Sequence, residues 1–357
     1  METPLAAQHR AAGAEMGEWF DCALPSRWGD AAEEERFAVE SVALSDKNYR
    51  AYLSFTGPDR VRYLNAILTN NIKDLGAGDG AVSLLLNPQG RILAEIETYA
   101  REGQLFCVSY AMIRARLVEW LEKYIIMDDV TLTDETDAFG TLALEGPRTA
   151  EVVQQLTGVP LASRAELHQV EARVAGMWCL LSRRSPGGVA GAEFLAARGD
   201  LAKLWPALLR AVQNSGGGAM GYAALSARRL AQGIPWFGYD FGEQQIPHEA
   251  GLQDSHISYT KGCYTGQEIV ERVRSRGQVN RVRVLLKFSG PGIPASGTSL
   301  LVDGKEIGHV TRAAYSPALE APIGMGYLRR ENGAGGSEVQ LSSGKATVIT
   351  APNPHRS

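Results

Sequence analysis

A chain of 357 residues is too long for one ordinary core and fits two or three packed units. Its 45% hydrophobic and 21% charged content is that of a globular protein, and a net charge of −4 gives no overall basic field for nucleic acid or an anionic membrane. No apolar run reaches the roughly eighteen residues of a spanning helix, and the first twenty residues lack the basic start and apolar stretch of a signal peptide, so a cytoplasmic protein is expected.

Taken in chain order, Ala51-Tyr-Leu-Ser-Phe55 alternates as a strand does. Thr56-Gly-Pro-Asp59 follows as a turn, and Val61, Leu64 and Leu68 set one apolar face of a helix. Leu84 to Leu93 reads as a hairpin around Asn87-Pro-Gln-Gly90, residues suited to a type I turn. Ile113, Leu117, Trp120, Leu121 and Tyr124 form a helical stripe for the core. The strand–Gly-Pro–helix unit recurs at Leu142-Ala-Leu144, Glu145-Gly-Pro-Arg148, Val152, Val153 and Leu156, which predicts a duplicated α+β building block. A helix from about Asp200 ends at Gly216-Gly-Gly218, and another covers 222–232.

The character changes near residue 275. Val282 to Phe288, Val310 to Ala314 and Met325 to Leu328 are strand-like, with a hairpin turn at Val302-Asp-Gly-Lys305. The predicted fold is therefore α+β with a small C-terminal β-barrel over 276–357. The rest, 1–275, divides into two subdomains, 1–50 with 137–275, and 51–136.

The four cysteines, Cys22, Cys107, Cys179 and Cys263, stand far apart with no C-x-x-C pair, so no disulfide framework, structural zinc site or self-contained cluster site is read from them. Only single thiols are of interest. Thr265 followed by Glu268 has the spacing of a capping box and predicts a helix from 265 or 266. Cys263 would then precede a helix N-terminus, with Lys261 two residues away and Gly262 and Gly266 allowing close backbone approach. Both neighbours favour a reactive thiol, and the plain alternative is a buried cysteine beside a helix cap.

Lys261-Gly-Cys-Tyr-Thr-Gly-Gln-Glu268 resembles the K-G-C-[FY]-x-G-Q-E signature of YgfZ-type folate-binding proteins, which are similar to glycine-cleavage aminomethyltransferases. His9, Gly13, Met16, Trp19, Pro25, Leu68-Thr-Asn-Asn-Ile72, Gly233-Ile-Pro235, Glu249-Ala-Gly-Leu252 and Ser316-Pro317 extend that likeness over nearly the whole chain. The resemblance implies a GcvT-like folate-binding fold, tetrahydrofolate as ligand, and a factor that assembles or repairs iron–sulphur client proteins, acting through Cys263 and Lys261 with Gly262, Gly266, Gln267, Glu268 and Arg272 completing the signature. The alternative it implies is a folate-dependent one-carbon transfer enzyme of the aminomethyltransferase type.

Aminomethyltransferases carry paired aspartates in a G-G-x-x-D-D stretch. Gly90-Arg-Ile-Leu-Ala-Glu95 puts Ala94 and Glu95 there, leaving Glu95 as the one acid for proton transfer. Their G-E-D-G-F-E run, whose first acid recognises the pterin, becomes Gly188-Val-Ala-Gly-Ala-Glu193 and keeps only Glu193. Their A-R-D-x-L-R-L-E segment becomes Ala224 to Ala231, where Arg229 stays in register. A folate site needs cations for glutamyl carboxylates, a carboxylate for the pterin edge and an aromatic wall. Glu95, Glu193, Arg229, Tyr264 and Trp236 are the residues assigned to it. These losses favour the iron–sulphur factor over the enzyme. No dinucleotide G-x-G-x-x-G or phosphate-binding P-loop motif is present to support a flavin-linked demethylase or a GTPase-coupled tRNA-modifying protein.

Overall fold

The computed structural model describes residues 1–185, 189–277, 279–290 and 292–349. The chain opens with α1 (Ala6–Ala11), the hairpin β1 (Glu15–Trp19) and β2 (Cys22–Arg27), and α2 (Ala31–Glu40). Next come β3 (Ala43–Asp46), β4 (Arg50–Thr56), α3 (Arg60–Ile67), β5 (Gly80–Leu86), β6 (Ile92–Arg101) and β7 (Gln104–Tyr110). After α4 (Arg114–Glu122) follow β8 (Thr131–Asp134), β9 (Phe139–Glu145), α5 (Thr149–Thr157), β10 (Gln169–Val174), β11 (Met177–Arg183) and β12 (Gly191–Ala197). Then α6 (Leu201–Asn214), β13 (Gly218–Ala219) and α7 (Tyr222–Ala231) lead into the second half. There α8 (Pro247–Ala250), α9 (Gln253–His256) and α10 (Gln267–Arg276) precede six strands. These are β14 (Arg281–Ser289), β15 (Ser299–Val302), β16 (Lys305–Ser316), β17 (Ala321–Arg329), β18 (Glu338–Leu341) and β19 (Gly344–Ile349).

Two compact units result. The first joins Met1–Ser83 with Ala94–Leu225; the second joins the hairpin tip Leu84–Leu93 with the described residues from Ser226 onward.

In the first unit a six-stranded sheet runs in the order β10-β11-β12-β9-β3-β13, and a five-stranded sheet runs β5-β6-β7-β4-β8. The alternation of each strand divides its side chains between two layers. Leu142 and Leu144 of β9, and Phe194 and Ala196 of β12, join Val152 and Val153 of α5 and Leu204, Trp205 and Leu208 of α6 in one core. The opposite face contributes Leu180 and Leu195, which pack with Tyr52, Tyr99, Phe106 and Val108 of the five-stranded sheet. Both Gly-Pro turns of the duplicated pattern form as predicted, between β4 and α3 and between β9 and α5. Gly57 and Gly146 take φ +95° and +141°, and a Cβ there would lie 2.2 Å from the Asp129 carbonyl oxygen and 2.5 Å from that of Ser41, so no larger residue fits. The stripe on α4 is narrower than its pattern implies: Leu117 and Leu121 are buried, whereas Trp120 is half-buried under the Arg116 guanidinium, 4.6 Å from its ring.

In the second unit β14-β17-β16-β15-β18-β19 close into a six-stranded barrel filled by Leu286, Leu300, Val310, Leu328, Val339 and Val348. The predicted turn at Val302-Asp-Gly-Lys305 joins β15 to β16, with Asp303 and Gly304 both at positive φ as a type I′ turn requires. Asp240 and Arg312 form a buried ion pair at 2.6 Å, and the guanidinium also lies 4.2 Å from the Trp236 ring. No helix among the described residues is long and apolar enough to cross a membrane.

Candidate functional site

The sheets of the first unit bring two polar rows into their shared layer. On the six-stranded sheet, strand register aligns Gln169, Ser182, Glu193, Ala143 and Ser45 across five neighbouring strands. On the five-stranded sheet Arg50 lies opposite Tyr110, and Glu95, Glu97 and Tyr99 share one face of β6 because they are two residues apart. Lys47 donates to Glu193 at 2.7 Å, Arg50 pairs with Glu97 at 2.7 Å, and Arg184 pairs with Glu97 at 3.0 Å. Tyr99 donates to the same carboxylate at 3.0 Å.

Burial alone would raise both carboxyls. For Glu97 the Arg50 and then the Arg184 guanidinium outweigh it and hold the group well below the ordinary carboxylate range. Glu193 is also lowered, chiefly by the Lys47 ammonium, against its own burial and the opposing charge of Glu97. Glu95 differs. It is half-buried, and its Oε2 accepts the Tyr110 hydroxyl at 3.0 Å. Burial, then the Glu95 charge, pushes the Tyr110 phenol well up, so it stays a donor at neutral pH. Phe20 and Tyr49 pack against Tyr110 and each other, and Tyr222 packs on Phe20 and Tyr49. Within this layer Ser45 Oγ, Gln169 Oε1 and Arg50 Nε are buried without a hydrogen-bond partner among the described residues. A half-buried acid on a fixed phenol, an aromatic wall and orphaned polar atoms together suit a planar, hydrogen-bonding ring such as a pterin.

Sequence reasoning found Glu95 and Glu193 here but not Lys47, Arg50, Glu97, Tyr110 or Arg184. One signal was present. Glu95 and Glu97 alternate with Ala94 and Ile96, the pattern of a strand with a polar layer on one side. Gly188, the start of the run ending at Glu193, lies outside the described residues.

The other predicted residues lie in the second unit. Arg229 is buried, its guanidinium 6.0 Å from the Trp236 ring. The signature segment departs from its predicted geometry. α10 starts at Gln267 with Gly266 as its N-cap and no side-chain cap, so Thr265 and Glu268 make no capping box. Glu268 instead bridges one turn along α10 to Arg272 at 2.8 Å. The cause is tertiary: Gly266 has φ +82°, and a Cβ on it would sit 2.7 Å from the Asn87 carbonyl oxygen at the hairpin tip. The helix cannot begin before that contact is made. Cys263 is exposed, and the plain alternative of a buried cysteine does not hold. Lys261 lies against Tyr264, its ammonium 5.2 Å from the ring, and burial pushes it down to about 8. Competitive acetylation across a pH series should therefore give Lys261 a labelling midpoint near 8, against about 10.4 for an exposed lysine. A midpoint above about 10 would place that ammonium in water. Tyr264 is buried with its hydroxyl unpartnered among the described residues, and burial raises its phenol.

Residues 5–256 match the family described as the GCVT N-terminal domain, and residues 281–352 match the glycine cleavage T-protein C-terminal barrel domain. The chain belongs to the glycine cleavage T-protein family. An aminomethyltransferase of Moorella thermoacetica is 30% identical over 357 residues, covering 98% of this chain and 97% of that protein. One of Streptomyces avermitilis is 28% identical over 338 residues, covering 94% and 91%. In three dimensions the glycine cleavage system aminomethyltransferase T of Bartonella henselae superposes with a TM-score of 0.88 at 23% identity, over 99% of this chain and 97% of that one. This last likeness establishes the GcvT-like fold.

These relatives overturn one expectation. The signature segment favoured a factor for iron–sulphur proteins, yet the relatives that match the T-protein chain end to end are named aminomethyltransferases. Eight residues of local likeness weigh less than agreement over the whole chain, and the iron–sulphur reading is withdrawn.

Proposed function

We propose that this protein transfers a one-carbon unit to tetrahydrofolate, as an enzyme of the aminomethyltransferase type, with Glu95 as its acid–base group. The observation that carries this reading is the Tyr110–Glu95 contact. A half-buried carboxylate, held by a phenol that does not ionise at neutral pH, shares its layer with Glu97 and Glu193, the acids that Arg50 and Lys47 bind. Tetrahydrofolate supplies the nucleophilic nitrogen that accepts the carbon. The chain must hold the ring, exclude water and manage a proton. In the first unit Glu193 and Glu95 offer acceptors for a pterin edge, with Tyr49 and Tyr110 as an aromatic wall.

In the second unit we assign Arg229, Tyr264 and Trp236 to ligand contact on their chemistry, a guanidinium for carboxylates and rings for an aryl group. Lys261 and Cys263 are assigned as the amine and thiol of the signature segment, where Gly262, Gly266, Gln267, Glu268 and Arg272 shape the backbone. The finer kinship with YgfZ-type folate-binding proteins rests on that segment, and it is compatible with folate as ligand.

The test is a calorimetric titration with tetrahydrofolate, run beside an assay of ammonia release from an aminomethyl-lipoyl donor. Saturable binding with folate-dependent ammonia release supports the reading. Binding without turnover, or no binding, overturns it.

A further inference from the structure

The turn joining β1 to β2 contains two residues, Phe20 and Asp21, between the paired Trp19 and Cys22. Both have left-handed backbones, at φ +55° and +56°. Two-residue hairpin turns of this kind select Asn-Gly or Gly-Gly, and a bulky aromatic residue at positive φ is an outlier that the surrounding structure must hold in place. What holds it is on the side-chain end. Phe20 is 2% exposed and stacks on Tyr49 at 4.2 Å between centroids with a 15° angle between planes. Tyr110 and Tyr222 close around it at 5.4 and 6.1 Å. Tyr110 is the residue whose hydroxyl holds Glu95.

We infer that Phe20 is a displaceable plug, an internal stand-in for a planar heteroaromatic ligand that takes its place against Tyr49 and Tyr110. Three observations converge on it. The near-parallel stack is the geometry a pterin-sized ring would adopt on Tyr49. Glu95, one hydrogen bond away through Tyr110, is an acceptor that a phenyl ring cannot use but a pterin edge can. And the turn has a reason to move: among the described residues β1 pairs with β2 alone and is half-buried or exposed, and leaving the slot, which breaks the Met1 ammonium's bond to the Asp21 carbonyl at 2.7 Å and the Trp19–Tyr222 contact at 5.6 Å, lets Phe20 and Asp21 abandon their unfavourable backbone. β2 is the anchored side, with Cys22 and Leu24 fully buried and the Ala23 carbonyl accepting from Thr3 N. Displacement therefore carries the turn and β1, while β2 stays. A ligand that must first expel Phe20 binds more weakly by the fraction of time the slot is open. As a stand-in for a pterin ring, the plug rests on the folate reading above, but not on one-carbon transfer.

The test compares the full-length wild type with Phe20→Ala and Phe20→Gly, titrated with 6-methyltetrahydropterin by calorimetry. Both variants are expected to bind about tenfold tighter or more, because the open state no longer competes with the plugged one. Phe20→Gly also relieves the positive φ and guards against a variant that fails to fold. In the wild type, fluorophenylalanine at position 20 should shift its ¹⁹F resonance on saturation with the pterin. Equal or weaker binding by the variants, no binding by any form, or an unmoved resonance overturns the plug. Tighter pterin binding without one-carbon transfer leaves the plug standing and removes the enzyme reading. Transfer activity with pterin affinity unchanged by either substitution does the reverse.

Discussion

Replacing Glu97 by glutamine should destabilise the first unit by about 3–5 kcal/mol, the usual cost of removing one partner from a buried ion network. The loss falls mainly on Arg50. Its side chain is 6% exposed and cannot turn to water, whereas Arg184, at 19%, can do so in part. A thermal shift of roughly 6–20 °C follows for a unit of this size. Replacing Glu97, Arg50 and Arg184 together by Leu, Met and Met should cost less than the single change, since no uncompensated charge remains buried. If the triple variant proves less stable than Glu97→Gln, the network stabilises the fold beyond its own desolvation.

The same residue sets an acid limit. Glu97 has a folded value below its unfolded one, so its contribution is fully present above the ordinary carboxylate value of about 4.3 and disappears as pH falls through the lower folded value. Urea denaturation of the wild type should therefore weaken steeply in the acid range below about pH 4, while Glu97→Gln loses less there and the two curves converge. Parallel curves would mean that Glu97 is not the titrating group.

How much of this was legible beforehand follows the range of the forces involved. The two Gly-Pro turns, the Asn87–Gly90 hairpin and the I′ turn at Asp303-Gly304 were readable because each is decided by neighbours in sequence. The barrel was readable from short alternating runs between turns. The start of α10 was not, because Gly266 answers to a hairpin tip some 180 residues earlier, and a local capping rule cannot see that contact. The buried charges were hidden for the same reason: Lys47 and Glu193 meet across 146 residues through strand register. Phe20 left no signal at all, since Trp19-Phe-Asp-Cys22 contains neither the glycine nor the asparagine that announces such a turn. The functional misreading had a related origin. A compact motif carries a vivid likeness, but the roles of an active site are distributed over the residues that the fold assembles.

Those roles are separable at Glu95. Glu95→Gln keeps the acceptor oxygen for Tyr110 but cannot take a proton, so transfer should fall by about 10²–10⁴-fold in kcat with tetrahydrofolate affinity little changed. Tyr110→Phe removes the hydrogen bond that favours the ionised form of Glu95. Its effect should appear as an upward move of the acidic limb of the pH–rate profile, because a carboxylate that loses a hydrogen bond to its charged form is easier to protonate. A purely structural role for the phenol would lower thermal stability and leave that limb in place. Glu95→Asp shortens the side chain by one methylene and withdraws it from Tyr110, so it should behave as Tyr110→Phe does and add nothing to it in the double variant. If Glu95→Gln retains activity within a few-fold of the wild type, the proton is handled elsewhere in the protein, and Glu95 serves only to hold the ring.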